Sequence, residues 1–364
     1  MILFRADGNA QIGSGHIMRC LSIADAFKRK NIDCKFVLAD KSFQPLIEDR
    51  GYSVHILETD YRNMDSEWDC PQKAIKIYCP ELVIVDSYFV TKSYLQRLKD
   101  QVRLAYVDDL AAFAYPVDIL INYNLNGTDH NYEKLYLDAN VICPQLLLGI
   151  TYAPLREMFR NIPKREQKEI VEDVLVSSGG SDPLHLALTI AKYVAKHKSA
   201  FNYHFLVGTV NEDYEKIKAV AANNQNIHVH HNVKDMKTLI TSSDLVVSAA
   251  GSTMYEICAC GVPAITYVLA DNQIPGAEAF EKLGLAVNCG DLRDSANQIT
   301  SAVINGSNNV ELLNNAVIKI MENVELIAND FELRKKIASK MQALIDGCGA
   351  YRLVARLLNK NTIQ

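Results

Sequence analysis

The chain has 364 residues, of which 49% are hydrophobic and 22% charged, and its formal net charge is −5. This composition is typical of a globular protein with a sizeable core. The negative net charge excludes an overall basic field of the kind that attracts nucleic acids or anionic membranes. Domains usually hold about 100–200 residues, so the length predicts two of them. Nine dispersed cysteines with no CxxC pair favour reduced thiols over a zinc site or a disulfide framework.

The first residues run directly into a strand pattern, without the basic and apolar regions of a signal peptide. No stretch approaches the roughly 18–20 uncharged apolar residues of a membrane span. We therefore expect a cytoplasmic protein with no membrane partner and no nucleic-acid partner, either a monomer or a weak homodimer.

Short apolar runs alternate with segments of helical periodicity, which predicts doubly wound parallel sheets. The predicted strands are 1–4, 34–40, 53–58, 82–88, 102–109, 118–122, 141–149, 173–180, 202–208, 227–231, 245–250 and 264–269. The predicted helices are 15–29, 42–50, 66–78, 91–100, 184–196, 254–261 and 331–360.

A polar stretch at 161–169 interrupts this alternation and marks a linker. We therefore predict an N-terminal Rossmann-like domain over 1–155 and a C-terminal one over 156–345, with a cleft between them. A closing helix within 346–364 is expected to pack back on the N-terminal domain. Ligands of open α/β sheets bind beyond the carboxyl ends of the strands, where the notable loops fall.

The first of these loops carries Gly13, Gly15 and His16 and opens a helix. Glycines allow a tight turn and close approach of the backbone to a ligand, and the N–H groups of a helix start attract an anion. Arg19 stands where a dinucleotide-binding loop has its third glycine. A histidine at this position can act as a base beside a bound phosphate. The alternative is an ordinary strand–helix turn with an incidental histidine.

Two loops of the phosphate-binding type follow strands in the second half. One holds Gly179, Gly180 and Ser181, with Pro183 suited to the first turn of the next helix. The other holds Gly251, Ser252 and Thr253, followed by Glu256. Small residues let main-chain amides and hydroxyls reach a diphosphate, and Glu256 is placed to accept hydrogen bonds from ribose. The alternative for Thr253 and Glu256 is a capping box.

Polar side chains at Asp271, Asn272 and Gln273 directly follow the strand at 264–269. Their position suits recognition of sugar hydroxyl or acetamido groups. The alternative is an ordinary turn built on Asp and Asn.

Three further features lie at predicted strand ends. Tyr88 can point its hydroxyl toward a ligand or belong to the core. The pair Asp108 and Asp109 lacks an evident third metal ligand, so we favour a helix cap. His228 and His230 share a strand face, followed by His231, and we interpret them as a cluster near the base of a nucleotide rather than a metal site.

A set of segments spread over nearly the whole chain resembles the UDP-sugar hydrolases of pseudaminic acid biosynthesis. In chain order the segments are FRADGNAQIGSGHIMRCLSIA, DSY, LLLGITYAPLREMF, VSSGGSDP, SDLVVSAAGSTMYEICACGVPAI, LADNQ and DGCGAYRLV. That family is related to spore-coat polysaccharide proteins and, more distantly, to the UDP-GlcNAc transferase that makes lipid II. The segment 306–330 has no recognisable counterpart.

The resemblance implies the α/β GT-B architecture, in which two Rossmann-like domains face a central cleft. It implies a substrate of the class UDP-2,4-diacetamido-2,4,6-trideoxy-β-L-altropyranose, with no cofactor and no metal. His16 matches the catalytic histidine, and Tyr88 resembles a supporting tyrosine. The residues expected to bind UDP or the rest of the substrate are Gly13, Gly15, Arg19, Gly179, Gly180, Ser181, Gly251, Ser252, Thr253, Glu256, Asn272 and Gln273.

The chemistry of these residues agrees with hydrolysis at C1 with inversion, releasing UDP and the free amino sugar. A neutral histidine takes a proton from water, while the loops of the second domain stabilise the departing diphosphate. A GT-B glycosyltransferase that uses a UDP-amino sugar donor is the main alternative, because an acceptor hydroxyl can replace the water. A catalytically idle nucleotide-sugar binding protein is a third hypothesis. A dinucleotide oxidoreductase would have to use Asp40 as its ribose ligand.

Overall fold

The computed structural model describes residues 1–9, 11–180, 182–208, 211–293 and 310–359. The chain forms two compact units. The first comprises Met1–Arg160 together with the last segment from Gly347 onward, and the second comprises Asn161–Asp346. None of the helices in these described ranges has the length and apolar character needed to cross a membrane.

The first unit is built on a sheet of seven parallel strands in the order β3-β2-β1-β4-β5-β6-β7. The strands are β1 (Ile2–Ala6), β2 (Cys34–Leu38), β3 (Ser53–Ile56), β4 (Leu82–Asp86), β5 (Leu104–Val107), β6 (Ile119–Asn122) and β7 (Gln145–Leu148). Every residue of β1, β4, β5 and β6 is buried, which explains why these strands are continuous apolar runs rather than alternating ones.

Helices connect the strands of the first unit. They are α1 (Gly15–Lys28), α2 (Gln44–Asp49), α3 (Asp69–Tyr78), α4 (Lys92–Lys99) and α5 (Tyr132–Asp138), with 3₁₀ turns at Met64–Glu67, Ile150–Tyr152 and Glu157–Phe159. A last helix, Gly349–Leu358, packs against α1, and Arg103 donates a hydrogen bond of 2.6 Å to the Leu357 carbonyl at its end.

The second unit has a sheet of six parallel strands in the order β10-β9-β8-β11-β12-β13. The strands are β8 (Asp173–Ser177), β9 (Asn202–Val207), β10 (Ile227–His231), β11 (Leu245–Ala249), β12 (Ala264–Val268) and β13 (Ala286–Asp291). The helices are α6 (Leu186–Lys196), α7 (Tyr214–Ala221), α8 (Met236–Ser242), α9 (Thr253–Cys260), α10 (Ile274–Lys282), α11 (Val310–Asn329) and α12 (Phe331–Leu344), so that Gly349–Leu358 is α13.

The predicted alternation of strands and helices is present, with differences in detail. The strand β13 and the helices α5, α7, α8, α10 and α11 were not expected from the sequence. The single helix predicted over 331–360 is divided into α12 and α13. Gly347 lies in the break with a φ of +74°, and a Cβ there would lie 2.1 Å from the Phe159 carbonyl oxygen, so only glycine allows this close passage.

Each sheet has a point where the strand order reverses. In the first sheet β1 and β4 are neighbours, and in the second β8 and β11 are neighbours. The connections leave such a pair in opposite directions, so a crevice opens beyond the carboxyl ends of the two strands. The loops that the sequence singles out, after β1, β4, β8 and β11, all lie at these two reversal points.

A buried ionic network anchors the start of the loop after β1. The guanidinium of Arg5 donates two hydrogen bonds of 2.8 Å to the Glu67 carboxylate and one to Asp7, and both Arg5 and Glu67 are almost fully buried. Tyr94 and Thr59 donate to the same Glu67 carboxylate at 2.9 Å. Asp7 is the first residue of the loop, so this network fixes its direction.

We expect Glu67→Ala to lower the free energy of unfolding of the first unit by about 3–5 kcal/mol, because it leaves the Arg5 charge buried without its main partner. The measurement is urea unfolding followed by fluorescence of Trp68, the only tryptophan, whose ring centroid lies 6.2 Å from that of Tyr94. Glu48→Ala, at an exposed position, is the control and should leave the midpoint unchanged. A double variant Arg5→Met with Glu67→Leu as unstable as Glu67→Ala would contradict this explanation.

Candidate active site and nucleotide-binding loops

The glycine loop after β1 ends where α1 begins, at Gly15. Asn9 closes the loop: its carbonyl accepts the N–H of Gly13 at 2.8 Å, and its side chain accepts the N–H groups of Gln11 and Ile12. Gly13 has a φ of +74°, and a Cβ added at Gly13 or Gly15 would meet no atom within 4 Å. The loop therefore leaves open space beside the first turn of α1, where His16 lies.

His16 is buried, with 6% of its surface exposed. Its Nδ1 lies 3.9 Å from Oδ1 of Asp86 at the end of β4, and the edge of its ring packs on Tyr88 with centroids 4.6 Å apart. Burial lowers the pKa of His16, and the Arg19 charge lowers it further, although Asp86, Asp109 and Asp7 act in the opposite direction. The structure therefore brings the two predicted catalytic residues into contact and favours a neutral imidazole.

Arg19, one turn further along α1, is clamped by two carboxylates. Its Nε and Nη2 each donate to Asp86 at 2.5 Å, and its Nη1 donates to Asp109 at 2.9 Å and to the Tyr123 hydroxyl at 3.0 Å. Each guanidinium nitrogen thus has a protein acceptor, and the side chain is buried. We infer that Arg19 positions the carboxylates around His16 rather than binding a phosphate itself.

The carboxylate of Asp109 also holds Tyr88 in place. Its hydroxyl donates to Asp109 at 2.8 Å, and Asn124 donates to the other oxygen of Asp109 at 2.8 Å. Burial alone would raise the pKa of Asp109, but the Arg19 charge and the Tyr88 hydrogen bond outweigh it and hold the pKa below its usual value. Asp109 is therefore ionised and keeps the Tyr88 ring beside His16.

The helix cap expected at Asp108 and Asp109 is absent, because no helix lies in the fully described stretch between β5 and β6. Asp108 instead accepts the N–H groups of Leu110 and Ala111 in a turn, and hydrogen bonds from two buried tyrosine hydroxyls. Sequence reasoning assigned no role to Asp86, Tyr123 and Asn124, and it gave Asp109 only the role of a helix cap. The sequence signal for these four residues was their position alone, since each one ends or follows a strand at the same edge of the first sheet.

In the second unit, the loop after β8 has Gly179 and Gly180 exposed, with open space where a Cβ would stand. Ser181 lies outside the described residues. Asp182 accepts the N–H groups of Leu186 and Ala187 at 3.0 and 2.9 Å, so it caps α6, which begins three residues later than Pro183. The backbone of the two glycines is therefore exposed at the end of β8.

The loop after β11 leads into α9 through Gly251 and Ser252. Ser252 is the N-cap residue, and its side chain makes no capping hydrogen bond. Thr253 is already the first helical residue, so the capping box that Thr253 and Glu256 would form is not built. Ser252 is exposed, and Thr253 and Glu256 are half-buried in the first turn of α9.

Gln273 links this loop to the turn after β12. Its Oε1 accepts the N–H of Leu269 at 2.8 Å, and its Nε2 lies 3.9 Å from where a Cβ of Gly251 would stand. Asn272 is exposed beside it in the 3₁₀ turn Asp271–Gln273, whereas Asp271 pairs with Arg293 at 2.7 Å. These hydrogen bonds fix the turn Asp271–Gln273 beside Gly251.

Two histidine sites complete the second unit. His185, at the start of α6, contacts the buried carboxylate of Asp213 and ties the glycine loop after β8 to the segment after β9; this pair was not predicted. His228 and His230 lie on a face of the sheet together with His204 of β9. The histidines of the edge strand therefore form a cluster that extends across the sheet to β9, and its position near the base of a nucleotide stays a prediction.

A family model for the glycosyltransferase family 28 C-terminal domain matches residues 174–319, which is most of the second unit. The chain is 28% identical over 293 residues to the UDP-2,4-diacetamido-2,4,6-trideoxy-beta-L-altropyranose hydrolase of Campylobacter jejuni, covering 79% of this chain and 98% of that one. It is 22% identical to the spore coat polysaccharide biosynthesis protein SpsG of Bacillus subtilis, covering 78% and 82%. It is also 23% identical to the uncharacterized protein MJ1062 of Methanocaldococcus jannaschii, over 74% of this chain but only 55% of that protein.

Solved structures of similar fold include MurG of Acinetobacter baumannii, with a TM-score of 0.64 and 14% identity over 98% of both chains. The calicheamicin glycosyltransferase CalG4 gives a TM-score of 0.63 and 14% identity, covering 100% of this chain and 99% of that one. The two parallel-sheet domains thus define a protein of the GT-B class, as predicted. Within that class, the predicted relationship to the UDP-diacetamido-trideoxy-altropyranose hydrolases and to SpsG is confirmed.

We expect the pKa of His16 to lie below the ordinary histidine value of about 6.5, because its burial disfavours the imidazolium. The unfolded chain binds this proton near pH 6.5, so the contribution of His16 to stability is present above that pH and is lost as the pH falls. NMR titration of the ring measures the pKa, with the resonance assigned by His16→Gln. A midpoint at or above 6.5 would show that Asp86 dominates over burial.

Proposed function

We propose that the protein hydrolyses a UDP-linked 2,4-diacetamido-2,4,6-trideoxy sugar at C1, with inversion, in pseudaminic (nonulosonic) acid biosynthesis. The observation that carries the proposal is the buried His16 beside Tyr88, next to an open glycine loop at the reversal point of the first sheet. Burial lowers the pKa of His16, which favours the neutral ring that a base requires. The printed name of the Campylobacter jejuni relative supports the substrate class.

His16 acts as the general base in this proposal. Asp86 lies on the Nδ1 side of the ring, so we assign Nε2 as the nitrogen that accepts a proton from water. The water oxygen forms a bond to C1 as the bond from C1 to the UDP oxygen breaks, and the electron pair leaves with UDP. Attack from the face opposite the leaving group inverts C1. Tyr88, fixed by Asp109, orients the water or a sugar hydroxyl.

The second unit holds the nucleotide. The exposed backbone of Gly179 and Gly180 and the N-terminal turn of α9 at Gly251, Ser252 and Thr253 present N–H groups and hydroxyls suited to a diphosphate. Glu256 accepts hydrogen bonds from ribose, and Asn272 and Gln273 contact the sugar. Main-chain amides that stabilise the departing diphosphate make a metal unnecessary for this step.

The second candidate is a GT-B glycosyltransferase that uses the same donor. The match of residues 174–319 to a glycosyltransferase family 28 domain favours it. An acceptor hydroxyl would then take the place of the water at His16, with the same base and the same leaving group. The two functions differ only in whether UDP is released when no acceptor is present.

The decisive experiment incubates the protein with UDP-linked diacetamido sugars, without any acceptor, and follows UDP release by chromatography. We expect release to continue in EDTA and the sugar formed in H₂¹⁸O to carry the label at C1, since attack is at carbon. Label on UDP would show cleavage of a P–O bond instead. UDP release that requires an added acceptor would favour the transferase.

Two variants separate the proposed chemistry from nucleotide binding. His16→Asn should lower kcat by about 10²–10⁴-fold, the usual worth of general-base assistance, while UDP affinity measured by calorimetry stays unchanged. Glu256→Ala should weaken UDP binding, because a ribose contact is lost. If His16→Asn kept its activity, the base assignment would be wrong, and unchanged UDP affinity in Glu256→Ala would remove its ribose role.

A further inference from the structure

Three histidines share one face of the second sheet. His204 lies on β9, and His228 and His230 lie on the outer strand, β10. Alternate residues of a strand point to the same face, so His228 and His230 lie on one side and His231 on the other. His204 of β9 pairs in register with His228. The rings of His204 and His228 stack with centroids 4.9 Å apart, and those of His204 and His230 lie 5.3 Å apart.

His204 is held between a carboxylate and a second imidazole. Its Nε2 lies 3.0 Å from Oδ1 of Asp173, the first residue of β8, and its Nδ1 lies 3.0 Å from Nε2 of His230. An ionised carboxylate can only accept, so the hydrogen-bond network assigns the proton of His204 to Nε2. The lone pair of Nδ1 therefore faces His230.

A carboxylate that fixes one imidazole nitrogen and leaves the other as a lone pair is the usual surrounding of a histidine that ligates a metal. Two nitrogen ligands of a tetrahedral metal, each about 2.0–2.1 Å from the ion, lie about 3.3–3.4 Å apart. The 3.0 Å between His204 Nδ1 and His230 Nε2 is within a few tenths of an ångström of that separation. A small side-chain movement thus converts the hydrogen-bonded pair into a chelate.

We propose that His204 and His230 chelate a divalent transition-metal ion of the zinc class. Imidazole nitrogen suits Zn²⁺, Ni²⁺ and Cu²⁺ and does not suit Mg²⁺ or Ca²⁺. Binding replaces the proton that His230 donates to His204: this proton leaves Nε2 as a proton from solvent adds to Nδ1, so the neutral ring changes tautomer and ligates through Nε2.

The surroundings of the pair favour a cation. The His204 side chain is 22% exposed and His228 is exposed, so an ion can reach the cluster from solvent. Burial lowers the pKa of His230, and the neighbouring His204 and His228 lower it further, so the ring is neutral and free to ligate near pH 7. The lowered pKa of Asp173 follows from its hydrogen bonds to His204 and Asn202, which outweigh the opposing effect of burial, and keeps a negative charge beside the site.

A metal at this position joins two strands. β10 is the edge of the sheet and is hydrogen-bonded only to β9 among the described strands. An ion shared by His204 and His230 is a cross-strand link, and it stabilises the folded chain by an amount that grows with the logarithm of the free ion concentration above the Kd. The site lies on a sheet face and uses none of the residues assigned to the substrate, so it does not depend on the proposed function.

The test is calorimetric titration of the full chain, free of any histidine tag, with Zn²⁺ at pH 7.5. We expect one equivalent to bind and the melting temperature to rise with Zn²⁺ concentration. His230→Gln should weaken binding at least tenfold. Asp173→Asn should weaken it about 10–100-fold, as is usual when the partner of a ligating histidine is removed.

His231→Gln is the matched control, because His231 is on the same strand but faces the other side, where it stacks on Tyr214. Its Zn²⁺ affinity should equal that of the wild type. An equal loss in His231→Gln, or no loss in His230→Gln, would overturn the proposal. Electron paramagnetic resonance of wild type loaded with one equivalent of Cu²⁺ gives an independent readout, and a spectrum without coupling to nitrogen ligands would also overturn it.

Discussion

The buried charge of Arg19 is the constraint on which the candidate active site depends. Its guanidinium meets Asp86, which is 67 residues away in the chain, and Asp109, which is 90 residues away. Removing these charges from water is costly, and only the paired geometry offsets that cost. The start of α1 and the ends of β4 and β5 are therefore fixed at one place. His16 and Tyr88, which touch these carboxylates or lie beside them, have their positions set by the same ionic cluster.

The two sheets use the same topology for different chemistry. At the reversal point of the first sheet the residues are buried, charged and aromatic, as a site that adjusts the protonation of His16 requires. At the reversal point of the second, the residues are small and the backbone is exposed, as at Gly179 and Gly180. The same topology thus carries a buried, charged surface in one unit and an exposed surface of small residues in the other, and local composition alone distinguishes them.

The sequence predicted what depends on neighbouring residues and missed what depends on the register of distant strands. Glycines, an apolar run and a helix start are local signals, so the loop at His16 and the loop at Gly251 were found. The partners of Arg19 were not, because only the strand order brings Asp86 and Asp109 together. The strand β13 was missed because Asn288 and Gly290 interrupt its apolar pattern at the sheet edge. The histidine cluster was predicted incompletely because His204, the residue that organises it, lies on another strand.

The return of α13 to α1 makes the second unit an insertion within the first. The chain leaves the first unit at Arg160 and re-enters it at Gly347, nearly 190 residues later. A ribosome adds about 5–20 residues per second, so α1, which ends at Lys28, waits on the order of 15–65 s before α13 exists to cover it. The second unit is complete before the first, although the first is synthesised earlier. A chain that stops at Asp346 would leave the packing face of α1 exposed. The nascent protein therefore stays vulnerable at this face until α13 has formed.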